Sequence, residues 1–199
     1  FGDINYEQSF KVHAFTITEK SEVGWFYCSS SATEIDRYVI YNYEDNVWYY
    51  GQLERYAWLD SGIEDYPRAT YNGYLFEQED GFNDDGSPMT NVFIESSDFE
   101  VGEGEQFAYI QRMFPDLKFL ANSDTGKVNL VLKTRNNPEE SLSTSSTSSV
   151  GSSTGQVSLR ARSRQAVFRV ESDDDSDGND NVGWRLGATR LDIKPDGRR

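Results

Sequence analysis

The sequence predicts an all-β protein, and three observations carry that prediction. Val, Ile, Tyr, Phe, Trp and Thr recur in short runs separated by Gly, Asn, Asp and Ser, the pattern of strands and turns. No stretch keeps a helical period for longer than about two turns. The chain also holds twelve Tyr, twelve Phe and four Trp. A hydrophobic fraction of only 36% can therefore still build cores, because each aromatic ring buries a large area.

The first unit spans residues 11–53. Residues 11–17 read as a strand, with Val12, Ala14 and Thr16 on one face and His13, Phe15 and Ile17 on the other. Residues 22–28 follow, carrying Trp25 and Tyr27. Residues 37–43 and 47–51 form a hairpin across the turn Glu44-Asp45-Asn46. Four antiparallel strands in this length match one propeller blade, and Trp48 suits packing between blades. The spacing fits any four-stranded meander equally well.

Residues 70–78 and 89–96 read as two further strands joined by an exposed polar loop. One or two blades cannot close a ring, which takes about four to eight. A boundary is expected at 101, with the propeller-like part in 1–101 and a small β-sandwich or barrel-like domain in 102–199. In the second part, residues 106–113, 127–134, 156–170 and 183–194 are strand-like, and 105–114 alternates well enough to be strand and not helix. Residues 141–155 are Ser, Thr and Gly with almost nothing apolar and read as a mobile surface loop. The apolar parity switches at Arg164–Gln165 and again at Gly187. A strict period of two forbids this, so a bulge or bend is implied at each.

Charge narrows the function classes. The formal net charge is −15, the wrong sign for a free-standing nucleic-acid binder. Residues 1–155 hold 26 acidic and 10 basic side chains, and residues 156–199 hold 8 and 9. A surface facing a polyanion therefore belongs in the C-terminal part, and an acidic wall elsewhere would let DNA slide past. Cys28 is the lone cysteine, so no intrachain disulfide forms. No apolar run approaches the roughly 18 residues of a membrane span. The chain opens at Phe1 without an initiator Met and is read as a fragment.

No catalytic constellation stands out. His13 is the sole histidine, so a Ser-His-Asp or Cys-His site would have to use it. Val101-Gly102-Glu103-Gly104-Glu105 lacks the Lys-Ser/Thr ending of a phosphate loop, and its glutamates repel phosphate. Carboxylates are plentiful, yet nothing singles out a glycosidase pair. No cofactor is implied. Asp173, Asp175 and Asp177, followed by Gly178, copy the start of a calcium loop, but Trp184 stands where the bidentate Glu belongs. A solvated acidic hairpin tip is the better reading, with weak cation binding as the remainder. Arg160, Arg162 and Arg164 share one strand face. Three guanidiniums there need an acidic counterpart: a carboxylate of this chain or of a neighbouring subunit first, DNA phosphate second.

The segment Arg162-Ser163-Arg164-Gln165-Ala166-Val167-Phe168-Arg169-Val170-Glu171-Ser172-Asp173, with Gly183-Trp184-Arg185-Leu186-Gly187 and Arg190-Leu191-Asp192-Ile193-Lys194-Pro195-Asp196-Gly197-Arg198-Arg199, resembles the closing segment of a family of tailed-bacteriophage virion proteins. These are described as tail nozzles, tail tubular proteins or packaged-DNA stabilisation proteins. Glu22-Val23-Gly24-Trp25-Phe26-Tyr27, Asp36-Arg37-Tyr38-Val39-Ile40-Tyr41-Asn42-Tyr43, Val47-Trp48-Tyr49-Tyr50-Gly51 and Phe93-Ile94-Glu95-Ser96-Ser97-Asp98-Phe99 look like blade strands of such proteins. The resemblance implies a homo-oligomeric ring, commonly a hexamer, assembled in the host cytoplasm and carried in the tail of the virion. Double-stranded DNA would pass through its lumen without sequence-specific binding, and fibres or other tail and adaptor proteins would dock outside. The mechanism would be assembly and gating, with no substrate turned over. Two other classes stay open: a carbohydrate-binding or glycan-cleaving tail component, which the Tyr/Trp richness suits, and a β-propeller interaction module.

Overall fold

The computed structural model describes residues 2–62, 64–84, 87–89, 91–100, 105–120, 126–173 and 182–197. The protein is all-β. Among the described residues, helix is limited to two short 3-10 segments, Tyr6–Lys11 and Thr18–Lys20. The chain divides into two compact units, Phe1–Asp80 and Gly81–Arg199.

The first unit is built on β1 (His13–Ile17), β2 (Glu22–Tyr27), β3 (Arg37–Asn42) and β4 (Val47–Gln52). They form one antiparallel sheet in chain order. The alternation in β1 is as the sequence predicts, with Phe15 and Ile17 buried and Thr16 exposed. Phe15, Gly24, Ile40 and Tyr49 lie in one row across the sheet. Glycine is required in that row because the Phe15 ring occupies the space of a side chain. A Cβ on Gly24 would stand 2.3 Å from Phe15 Cζ and 2.9 Å from Ile40 Cγ1. Phe15 then stacks on Phe26 with ring centres 4.3 Å apart. The predicted β3–β4 hairpin is present. Asn42 Oδ1 accepts from the amides of Glu44 and Asp45, and Asn46 adopts φ +56°.

A second sheet of this unit comprises β5 (Ala57–Leu59), β6 (Arg68–Tyr71) and β7 (Tyr74–Glu77). The expectation of one strand over 70–78 is corrected here. Asn72 and Gly73 both adopt positive φ, +47° and +82°, and turn the chain back between β6 and β7. Asn-Gly is the dipeptide such a tight hairpin turn prefers. Trp58 of β5 covers the inner face of the first sheet, 4.8 Å from Phe15 and 6.0 Å from Phe26 between ring centres.

The second unit contains β8 (Asn83–Asp84), β9 (Ser87–Pro88), β10 (Phe93–Glu95), β11 (Phe99–Glu100), β12 (Ala108–Phe114), β13 (Leu117–Phe119), β14 (Val128–Arg135), β15 (Ser143–Val150), β16 (Ala161–Ser163), β17 (Gln165–Ser172), β18 (Trp184–Leu186) and β19 (Arg190–Pro195). The largest sheet runs β10-β17-β14-β15, with β11 also on β17. A second runs β16-β12-β19, and β13 pairs with β18. Side chains from these sheets share one core: Ile110 and Met113 of β12, Val128, Leu130 and Leu132 of β14, and Phe168 and Val170 of β17. The strand preference over 105–114 is thus realised in β12. Among the described residues no sheet closes into a barrel.

Both predicted parity switches are places where the chain changes sheet. β16 pairs with β12, and after Arg164 β17 pairs with β14. β18 pairs with β13, and after Gly187 β19 pairs with β12. Corners between packed sheets are made by such bends. Two other expectations are corrected. The division between units falls after Asp80 and not near 101, because Phe93–Glu95 and Phe99–Glu100 add to the edge of β17. The Ser/Thr segment 141–155 is not a loop throughout: Ser143–Val150 is an eight-residue strand on β14. Its neighbour β14 supplies the apolar face, so β15 needs only its backbone pairing and one anchor, the buried Val150.

Gly24→Ala is expected to destabilise the first unit by about 1–3 kcal/mol, the usual cost of overpacking. Urea unfolding followed by tryptophan fluorescence measures it.

Candidate interaction surface

The arginine stripe comes first, because the sequence singles it out. β16 and the bend after it bring Arg162 and Arg164 to Phe107, whose ring lies 4.0 Å and 5.2 Å from their guanidinium carbons. Arg162 Nε donates to the Asp196 carboxylate, and Nη2 donates to the Asp196 carbonyl at 3.0 Å. The acidic counterpart of Arg162 is therefore within the chain, just beyond β19. Arg164 is half-buried, and its Nε has no hydrogen-bond partner among the described residues. Arg160 is exposed. The three do not act as one patch: Arg162 and Arg164 contact the Phe107 ring, while Arg160 is exposed and has no contact to that ring.

A second charged group, not foreseen from the sequence, lies across β10, β14 and β17. Glu95 accepts from Lys133 Nζ at 2.6 Å and from Arg169 Nη1 at 3.4 Å. Arg169 also reaches Glu171 at 2.5 Å and lies 3.6 Å over the Phe93 ring. The hydrogen bond from Lys133 holds the Glu95 carboxyl below its usual range. These residues lie far apart in sequence, and only the β10–β17–β14 register brings them together.

The first sheet of the first unit presents the most unusual surface. Its registers place Val23, Trp25, Val39, Tyr41, Trp48 and Tyr50 on the face opposite Phe15 and Phe26. A sheet that faces water on one side normally alternates apolar and polar residues. Here the outer face is mostly apolar as well, with Thr16, Arg37 and Gln52 at its margins. Trp48 stacks on Tyr41 at 4.6 Å and on Trp25 at 6.1 Å, with interplanar angles of 28° and 21°. Trp48 remains 60% exposed and Tyr50 77%. Trp25, Tyr41 and Trp48 turn ring faces towards one another. That arrangement suits packing against a further apolar surface better than offering a flat platform to a sugar. Contiguous exposed apolar surface of this kind marks interaction sites.

The remaining candidates are placed as follows. His13 is half-buried, 5.2 Å from the Phe26 ring, with Nδ1 3.4 Å from the Lys11 carbonyl. Cys28 is buried and its thiol is pushed up by that burial, the opposite of what an activated nucleophile needs. Among the described residues no group of three metal-ligating side chains comes together. Asp173 accepts from Ser149 Oγ at 3.4 Å, while Asp175 and Asp177 lie outside the described residues. On the inner face, Glu22 is buried near Tyr49. Burial first, and the neighbouring Glu22 carboxylate second, push the Tyr49 phenol far above its ordinary value of 10.0.

No protein-family model matches the chain, and no curated protein sequence does. The class defined by the structure is thus an all-β protein of two units with a bare aromatic sheet face.

Two predictions follow from these contacts. Asp196→Asn should cost under about 1 kcal/mol, as for other exposed ion pairs. Phe107→Ala should cost more, and a double-mutant cycle with Arg162→Ala should show the coupling. The raised Tyr49 pKa means the folded state keeps a proton that the unfolded state loses above pH 10.0. Stability from this group is complete below that pH and falls as pH rises further. Tyr49→Phe should flatten the alkaline limb of a stability–pH profile measured by chemical denaturation.

Proposed function

We propose that this chain is an architectural subunit of a tailed-bacteriophage virion, of the tail-nozzle or packaged-DNA stabilisation kind, and acts by assembly without turning over a substrate. One observation carries the reading. The β1–β4 sheet is mostly apolar on its outer face as well as its inner one, and the outer face holds the Trp25–Trp48–Tyr41 stack with Tyr50 beside it. Burying such a face against a neighbouring layer, as a propeller blade does, removes that apolar area from water and stabilises the sheet. The resemblance of the C-terminal segment to phage tail proteins supplies the class.

On this reading the first unit contributes one propeller-like blade, and the second a sandwich of its two larger sheets. The net charge of −15 suits a wall past which DNA slides without being gripped. Arg160 faces outward as the contact to a neighbouring subunit's carboxylate. Arg162 is already neutralised by Asp196, and Arg164 lies over Phe107.

The carbohydrate reading ranks second, and its support is the exposure of Trp48 and Tyr50. Two measurements separate the readings: light scattering of the full-length protein, and mass spectrometry of purified particles. A closed multi-subunit ring present in particles is the expected result. A monomer absent from particles, binding an oligosaccharide on a glycan array, would replace the virion reading with the second one.

A further inference from the structure

The edge of a sheet exposes unpaired N–H and C=O groups that can recruit a strand from another chain. Most edges in this protein are blocked. β1 is covered by β5 and the loop after it: Trp58 Nε1 donates to the Thr16 carbonyl at 2.9 Å, and Asp60 accepts from the Thr16 hydroxyl and the Thr18 amide. β19 carries Arg190, Asp192, Lys194 and Pro195. β10 and β11 are three and two residues long, and Glu95 there is held by Lys133 and Arg169. β15 has a register shift at its pairing with Leu132 and Lys133, and its side chains are mostly Ser and Thr. β7 is four residues long and ends in Glu77, which meets Arg68.

β4 has none of these protections. Val47-Trp48-Tyr49-Tyr50-Gly51-Gln52 contains no charge and no proline, and its register with β3 is unbroken over all six residues. Val47, Trp48, Tyr49 and Tyr50 are all exposed. A segment of high β propensity without charge is the kind that pairs with its own copy.

We propose that β4 is a strand-pairing edge and that its occupant is β4 of a second copy of this chain, antiparallel about a two-fold axis. Charge favours this site. Two chains of net charge −15 repel each other over most of their surfaces and can approach most readily where the contact is uncharged. The sheet itself narrows the choice, since its other edge, β1, is covered and leaves only β4 to offer. Register supplies the fit. With Tyr49 opposite its own copy, Trp48 of one chain faces Tyr50 of the other on the outer face. That pair prolongs the row begun by Tyr41 and Trp48. On the inner face Val47 meets Gly51, over which the Tyr38 phenol lies in the place of a side chain, so Val47 packs against that ring. The result is one continuous eight-stranded sheet with a single aromatic face.

The pairing is independent of the virion reading. A ring with cyclic symmetry uses head-to-tail contacts, whereas this contact is isologous, so either can fail alone. The test is sedimentation velocity of the whole chain at rising concentration, with hydrogen exchange of the β4 amides measured at the same concentrations. Tyr50→Lys places a charge on the edge at a side chain that is already 77% exposed. Tyr74→Lys, on the other sheet and 69% exposed, serves as the control. The expected result is a two-chain species whose formation protects the amides of Val47–Gln52. Tyr50→Lys should weaken it about tenfold or more, and Tyr74→Lys should leave it unchanged. A chain that stays monomeric, an association that survives Tyr50→Lys, or β4 exchange that is the same in monomer and dimer would each overturn the proposal.

Discussion

Every strand in this protein must satisfy its backbone groups, from a neighbouring strand or from water at a sheet edge, and cover its apolar side chains on at least one face, and the architecture follows from how each strand meets those demands. β14 meets them most completely. It pairs along its length with β17 on one side and with β15 on the other, and Val128, Leu130 and Leu132 are fully buried. The second unit is organised around that strand. β17 extends the sheet to β10 and β11, and the bends at Arg164 and Gly187 carry the chain into the facing sheets that close the core. The first unit meets the same demands incompletely. Trp58 and Asp60 cover one edge and the inner face of its main sheet, while β4 and the outer face are left bare.

Much of this was legible in the sequence, for identifiable reasons. Short runs of aromatic and β-branched residues between turn signals located β1 to β4, and alternation gave the buried face of β1, where Phe15 and Ile17 are buried and Thr16 is exposed. Parity switches located the two sheet-changing bends, because an odd step in a two-residue period has few other physical explanations. Trp48, expected to pack between blades, stacks on Tyr41 and Trp25 of its own sheet and stays 60% exposed. The Asn72-Gly73 hairpin was also present in the sequence as a strong local signal, but the run of aromatics on either side masked it. The strand at Ser143–Val150 left no such trace. Ser and Thr carry no hydrophobic pattern, and the strand exists because β14 offers it a backbone to pair with.

The candidate sites were less legible than the fold. The arginine stripe was visible as a pattern, yet its meaning depended on Phe107 and Asp196, which approach it only through the β12–β16 and β12–β19 registers. The Glu95–Lys133–Arg169 group involves three strands separated by long stretches of chain, and no local motif could announce it. The bare outer face of the first sheet fell between these cases. Its residues read as strand-forming aromatics, but which face they share, and that nothing among the described residues covers Trp48 and Tyr50, emerges only from the three-dimensional register.

We propose that this outer face is an internal surface of a phage particle. A cryo-electron microscopy map of the purified particle tests it most directly. The account predicts protein density packed against Trp25, Trp48 and Tyr50. A map in which this chain is present with that face open to solvent would contradict it.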